Sequence, residues 1–201
     1  RFSPTPFDLD ELSEAFDGRL TVLSDDAMAI DADALTVLST DGDLRELVRD
    51  HPCAVLTPHA GEFARLYAAT LGRELDLSKG LGVRLRELSD ALDCFILHKG
   101  RITTVTAPDQ KIYGMNAGHS YAATAGSGDV LSGILGATLA QLDAAEADAE
   151  AIIMDILHAA AIHQHAAAIA AHTPDGFGLC SASQIAAAVP QAIARLLLMQ
   201  R

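Results

Sequence analysis

Three short apolar runs, each closed by a polar cluster, constrain this 201-residue chain more than any other feature. Ala27–Ile30 runs into Asp31-Ala32-Asp33, Cys53–Leu56 into Thr57-Pro58-His59, and Phe95–Leu97 into His98-Lys99-Gly100. Apolar runs bounded in this way read as buried strands. Helix-periodic stretches lie between them. Leu35, Leu38, Leu44, Leu47 and Val48 predict helical turns interrupted at Asp41-Gly42, and 62–69 and 81–92 predict two more helices. Strands alternating with helices imply an α/β fold: a mainly parallel sheet with helices on both faces. In such sheets ligands gather beyond the carboxyl ends of the strands, which is where the three polar clusters fall.

The remaining segments extend this plan. Residues 102–106 and 111–113 predict a hairpin around Pro108-Asp109-Gln110. A long helix is predicted over 151–171, and Ser181-Ala182-Ser183-Gln184 fits a capping box for a last helix, with Pro190 a kink within it. Pro4 and Pro6 mark a loop-like start, and 8–16 reads as a short acidic helix. No internal repeat and no linker is visible, so residues 1–201 read as one domain.

Half of the residues are hydrophobic, as in a globular chain with a full core. The net charge of −13 argues against nucleic acid or an anionic membrane as partner, although a locally positive pocket can still hold a nucleotide. No uninterrupted run of about twenty apolar residues occurs, so no membrane span is expected. The Ala-rich stretch 144–171 is broken by Asp, Glu and His; its small side chains suit close helix packing and homo-oligomerisation, or packing within the chain. Cys53, Cys94 and Cys180 are an odd, widely spaced set, read as buried thiols in a reduced cytoplasm. The chain opens on Arg1 rather than Met, so this start is not expected to be the native translation start.

Chemistry concentrates in Ala125-Gly126-Ser127-Gly128-Asp129, which opens an apolar-periodic segment (Val130, Leu131, Ile134, Leu135, Leu139, Leu142). A helix start carries unpaired N–H groups and the positive end of the macrodipole, and glycines let a phosphate approach that backbone. Ala125 to Gly128 thus form a candidate anion hole. Asp129, in the first turn, is poorly placed to bind phosphate and well placed to take a proton from a hydroxyl attacking one. An acid in a first turn also suits capping alone. Asp31 and Asp33 read as caps of the helix after them. His59 read alone is a polar residue at a helix start, and Lys99 a solvated turn residue. His158, His163 and His165 do not share a helix face and are read as ordinary histidines, not a metal site.

Taken together, Ile30–Leu35, Leu56-Thr57-Pro58-His59-Ala60-Gly61-Glu62-Phe63, Leu97–Gly100 and Ala123–Gly133 resemble the ADP/ATP-dependent NAD(P)H-hydrate dehydratases of the ribokinase-like superfamily. Phe177-Gly178-Leu179 and Ser181 to Pro190 resemble that family's last helix. The resemblance implies a ribokinase-like three-layer sandwich and a repair reaction. Phosphoryl transfer to the hydroxyl of a hydrated nicotinamide ring, then loss of phosphate, restores NADH or NADPH. ADP is the expected donor, yielding AMP; ATP is the alternative, and Mg²⁺ would enter with the nucleotide. By resemblance Asp129 is the base and also touches the hydrate, as does His59. Lys99, Gly100, Arg101, Ile102, Thr103 and Gly128 match nucleotide-contact positions. Asn116 and Gly118 precede the motif in a polar loop.

Three departures from the family pattern stand out. The Gly-rich early portion is not found before residue 27, so the fold is expected to be N-terminally incomplete, with an epimerase domain upstream an open question. Ala125 stands where many members have Gly, and His119 where many have Asn. Two other functions fit the same residues: a ribokinase-like kinase of a small hydroxylated metabolite, against which the Thr57-Pro58-His59…Glu62 segment argues, and a non-catalytic nucleotide-binding protein.

Overall fold

The computed structural model describes residues 21–22, 27–115, 120–142 and 147–199. The expected helix at 8–16 and residues Asn116, Gly118 and His119 lie outside the described residues.

A six-stranded sheet runs in chain order: β1 (Thr21–Val22), β2 (Met28–Ile30), β3 (Ala54–Leu56), β4 (Phe95–His98), β5 (Thr103–Thr106) and β6 (Tyr113–Met115). Strands β2, β3 and β4 pair in parallel. The pairings of β1 with β2, β4 with β5 and β5 with β6 are antiparallel. Among the described strands the sheet is therefore mixed, and the expected parallel arrangement is confined to its three-strand centre. The helical crossovers impose that arrangement there, while the short β4–β5 and β5–β6 connections force chain reversal.

Helices cover both faces. On one lie α1 (Asp33–Thr40), α2 (Gly42–Asp50), α3 (Ala60–Leu71) and α4 (Leu81–Leu92). Met28, Ile30, Ala54, Leu56 and Ile96 point to this side and pack with Leu35, Leu38, Phe63, Leu66 and Leu88. On the other lie α5 (Ser127–Leu139) and α6 (Ala149–Ala171), packed on Ala29, Val55, Leu97 and Val105 through Leu131, Leu135, Ile153 and Ile156. This alternation along each strand follows from its two-residue period. The last helix, α7 (Ala182–Met199), packs on α6 through Ala166, Ala167, Ile185, Ala188 and Ala192. The alanine stripe that suggested assembly between copies is thus buried within the chain.

Local rules account for the helix ends. The Asp41 side chain accepts from Asp43 N (2.9 Å) and Leu44 N (3.2 Å), so the break between α1 and α2 is a cap. Asp148 caps α6 through Ala151 N (2.7 Å), which starts that helix two residues before the expected 151. The Ser181 box forms: Ser181 N donates to Gln184 Oε1 (2.8 Å) and Gln184 N to Ser181 Oγ (3.3 Å). Pro190 lies inside α7, which continues past it. The second hairpin strand falls at 113–115 rather than 111–113, and Ile112, just before it, lies against Gly82 of α4. The strand β1 and the small hairpin of β7 (His172–Thr173) and β8 (Gly176–Phe177) had no expectation.

Helix α6 is long and apolar enough to cross a membrane by length and composition alone. Its buried residues, from Ile152 to Ala171, instead meet the sheet, α5 and α7.

Candidate active site at the strand ends

The carboxyl ends of β2, β3 and β4 converge, as the strand-end rule requires. Lys99 N donates to Pro58 O (2.8 Å) and Thr57 N to Ile30 O (3.0 Å), locking the three polar clusters side by side. The two-residue period then sorts their side chains. Ile30, Leu56 and His98 face α3, whereas Asp31 and Lys99 turn to the α5 face.

There the Lys99 ammonium pairs with Asp31 Oδ1, and Asp31 Oδ2 accepts from Ser132 Oγ (2.8 Å). Glu62 Oε2 stands 4.0 Å from Lys99 Nζ. Burial works to raise the Asp31 carboxyl, but the hydrogen bond and charge of Lys99, with hydrogen bonds from Ser132 and Thr57, outweigh it and hold the group below its ordinary value. This corrects the reading of Asp31 and Asp33 as helix caps: no side chain caps α1. Asp31 is a part-buried anchor, and Asp33 is exposed. The signal for Asp31 was its place directly after a strand rather than its place before a helix.

The start of α5 faces this cluster. Gly126 takes a left-handed conformation (φ 79°) that sharply turns the chain into the helix. A side chain on Gly128 would sit 3.5 Å from Asp31 Oδ2 and 3.8 Å from Lys99 Nζ. Gly128 thus leaves a space bounded by the ammonium, the carboxylate and the first-turn N–H groups. Ala125 and Gly126 are exposed, and Asp129 is exposed one residue beyond Gly128. Ser127 is buried, and its Oγ lies 2.9 Å from Nε2 of His163 on α6. Burial pushes the His163 imidazole below its ordinary value, against a hydrogen bond that the ring donates to the Ser127 backbone; the Lys99 charge adds to the lowering. Of the three helix histidines, His163 is therefore structural, bracing the site. His158 sits beside Asp155 (3.7 Å), and His165 lines a cavity of about 420 Å³ with His172, Phe177, Gln191 and Arg195.

His59 caps α3. Its Nδ1 accepts from Gly61 N (3.0 Å) and Glu62 N (3.3 Å), while its own N–H donates to Glu62 Oε2 (2.8 Å). With Nδ1 accepting, the ring proton of neutral His59 sits on Nε2, 3.3 Å from Glu62 Oε1. Glu62, quoted in the motif without a role, thus joins His59 to Lys99. Gly100, Arg101 and Ile102 form an exposed turn, and Thr103 enters β5 with its side chain buried. These four are strung along one edge and do not enter the Lys99–Asp31 cluster. His98 is 6% exposed beneath the turn, edge-on to Phe63, and its Nδ1 has no hydrogen-bond partner. Burial, with the nearby His59, pushes its imidazole below the ordinary value.

A mixed sheet between helical layers, with a glycine-lined helix start facing a lysine at the strand ends, is an α/β fold shared with a ribokinase-like superfamily protein of Enterococcus faecalis (TM-score 0.58, 22% identity, over 85% of this chain and 63% of that one). The chain belongs to the NAD(P)H-hydrate dehydratase family, whose sequence pattern matches residues 13–187. It is 40% identical over 184 residues to the bifunctional NAD(P)H-hydrate repair enzyme of Corynebacterium glutamicum, covering 83% of this chain and 32% of that protein. It is 40% identical over 124 residues to the ADP-dependent (S)-NAD(P)H-hydrate dehydratase of Neisseria meningitidis serogroup B, covering 62% of this chain and 41% of that one. The ADP/ATP-dependent NAD(P)H-hydrate dehydratase of Bacillus subtilis, co-crystallised with ATP/Mg²⁺, shares the fold with a TM-score of 0.56 at 24% identity, over 71% of this chain and 48% of that one. The chain therefore spans well under half the length of the curated relatives it matches.

Proposed function

We propose that this chain carries the nucleotide-dependent half of NAD(P)H-hydrate repair, with ADP as phosphoryl donor and ATP as the alternative. The observation that carries the reading is the side-chain-free position at Gly128, in the first turn of a 13-residue helix, which brings that backbone against Lys99, with Asp129 one residue away. The names of the 40%-identical relatives support the substrate.

In this reading the N–H groups of Ala125 to Gly128 and the Lys99 ammonium receive the terminal phosphate of the nucleotide, and Gly100 to Thr103 flank the rest of it. Asp129 accepts the proton of the ring hydroxyl as that oxygen bonds to phosphorus, and the bond from phosphorus to its bridging oxygen breaks, releasing AMP when ADP is the donor. Hydroxide is a poor leaving group, whereas the phosphate ester departs with its C–O electron pair. A proton lost from the neighbouring carbon restores the ring double bond. His59 presents its exposed edge to the hydrate. The Glu62 carboxylate is a hard oxygen donor that would suit Mg²⁺ brought in on the phosphates, where the ion would neutralise their charge. A cytoplasmic setting fits the buried thiols of Cys53 and Cys94, both of which burial pushes up, Cys53 to about 12.

The test is to incubate NADPH hydrate with the protein, Mg²⁺ and either ADP or ATP, and to follow recovery of dihydronicotinamide absorbance. Recovery that requires nucleotide, and that falls by about 10²–10⁴-fold in Asp129→Asn, is expected of a lost general base. Accumulation of a stable phosphate ester without recovery would replace this reading with a metabolite kinase.

A further inference from the structure

We infer that Asp31 is a positioning residue of the phosphoryl-transfer site, holding the Lys99 ammonium against the first turn of α5. The inference rests on the reading of that turn as the nucleotide-phosphate site.

Asp31 spends both carboxylate oxygens on the site. Oδ1 binds Lys99 and also accepts from Ala32 N (2.8 Å), and Oδ2 accepts from Ser132. A carboxylate 3.5 Å from the space at Gly128 would repel a phosphate there unless a cation neutralised it. Asp31 therefore does not bind the anion; it acts through Lys99. The lysine stem is flexible and its ammonium carries no preferred geometry of its own. Its other acid neighbour, Glu62 at 4.0 Å, lies on α3, so without Asp31 the ammonium is free to turn to Glu62 instead.

A second observation points the same way. Ala32, directly after Asp31, is held at φ 49° and ψ −118°, a conformation unfavourable for a residue with a Cβ. No side chain caps α1 there, so the strain does nothing for helix capping. It accompanies the bend that lets the Asp31 carboxylate bind its own chain, Lys99 and Ser132 together. An ion pair that is part desolvated and part exposed gains little net stability from its charges, so stability alone does not account for this one.

The test is a double-mutant cycle on the 201-residue chain, read as the Kd of ADP by calorimetry and as the KM–kcat split in the hydrate assay. Asp31→Asn is expected to weaken ADP on the order of tenfold, as contacting pairs do. Its effect should fall mainly on KM. Lys99→Met should weaken ADP at least as much, and the double variant no more than Lys99→Met alone. Asp31→Glu keeps the charge and should bind ADP between wild type and Asp31→Asn. Ser132→Ala, which cuts only the helix arm, should leave ADP affinity within about twofold. Additive losses, an unchanged Kd in Asp31→Asn, no rescue in Asp31→Glu, or an equal loss in Ser132→Ala would each overturn the inference. Unchanged ADP binding in Lys99→Met has a different meaning: it removes the phosphate-site reading itself, and the inference with it.

Discussion

The Ser127 hydroxyl and the His163 imidazole meet at 2.9 Å in the protein interior, joining the first residue of the α5 helix to the middle of α6. The helix start that faces Lys99 is thus braced from behind by a side chain 36 positions away in the sequence. Ser127 contributes its backbone to the candidate anion hole and its side chain to the scaffold.

Cutting this brace has a defined cost. His163→Leu leaves the Ser127 hydroxyl buried without a partner and should destabilise the fold by about 1–3 kcal/mol. Adding Ser127→Ala removes the orphaned group, so the double variant should recover part of the loss. Urea midpoints of the four proteins check both statements.

The two glycines of the helix start should fail differently. Gly126→Ala forces a Cβ into a left-handed conformation, 3.2 Å from the Ala182 Cβ, and should lower stability by roughly 1–2 kcal/mol. Gly128→Ala meets only ordinary contact distances and has no unusual φ. It should fold with a melting temperature no lower than that of wild type, since alanine favours a helix over glycine, and bind ADP more weakly, because its methyl group would occupy the proposed phosphate space. Thermal melts beside ADP titrations separate the two.

His98→Leu should raise the melting temperature. The substitution removes a buried nitrogen with no hydrogen-bond partner and fills the same space beside Phe63, a gain on the order of 1 kcal/mol.

Acid should destabilise the protein in two windows. The His98 and His163 imidazoles are lowered in the fold from an ordinary value of 6.5. Above that pH both are neutral folded or unfolded. As pH falls below it, the unfolded chain takes up protons that the fold resists, and stability declines. The Asp31 contribution is present above its ordinary 3.8 and is lost below it, as pH falls through the lowered folded value. Stability measured between about pH 7.5 and about pH 5.5 should fall less in His98→Leu than in wild type.

Relaxing the strain at Ala32 should stabilise the chain. Ala32→Gly fits φ 49° without a Cβ penalty, and the residue is exposed, so no packing is lost. Against the greater freedom of glycine in the unfolded chain, a net gain of about 1 kcal/mol is expected from denaturant unfolding.

Much of the architecture was legible in the residues because it depends on local rules. Cys53–Leu56 and Phe95–Leu97 are short apolar runs with polar ends, and each became a central strand. The Asp41-Gly42 break and the Ser181–Gln184 box are capping signals that act within four residues, and both formed where they were read. Features that depend on pairing were less legible. The antiparallel β1 and the hairpin of β7 and β8 are two-residue strands, too short for periodicity to register. The mixed sheet follows from which neighbour each strand found, which no single segment encodes.

The site divides along the same line. The residues themselves determined that a glycine-rich helix start with an acid in its first turn exists, that Lys99 follows a buried strand, and that the chain resembles one family. Backbone conformation and short-range sterics act through neighbouring residues, so these features are readable in order. Tertiary structure alone decided that Asp31 pairs with Lys99 across 68 positions, that Ser132 reaches Asp31 across 101, and that His163 braces Ser127. Such contacts arise where separate elements pack together. A buried charge or hydroxyl then takes the partner that the packing brings within reach, whatever its distance along the chain.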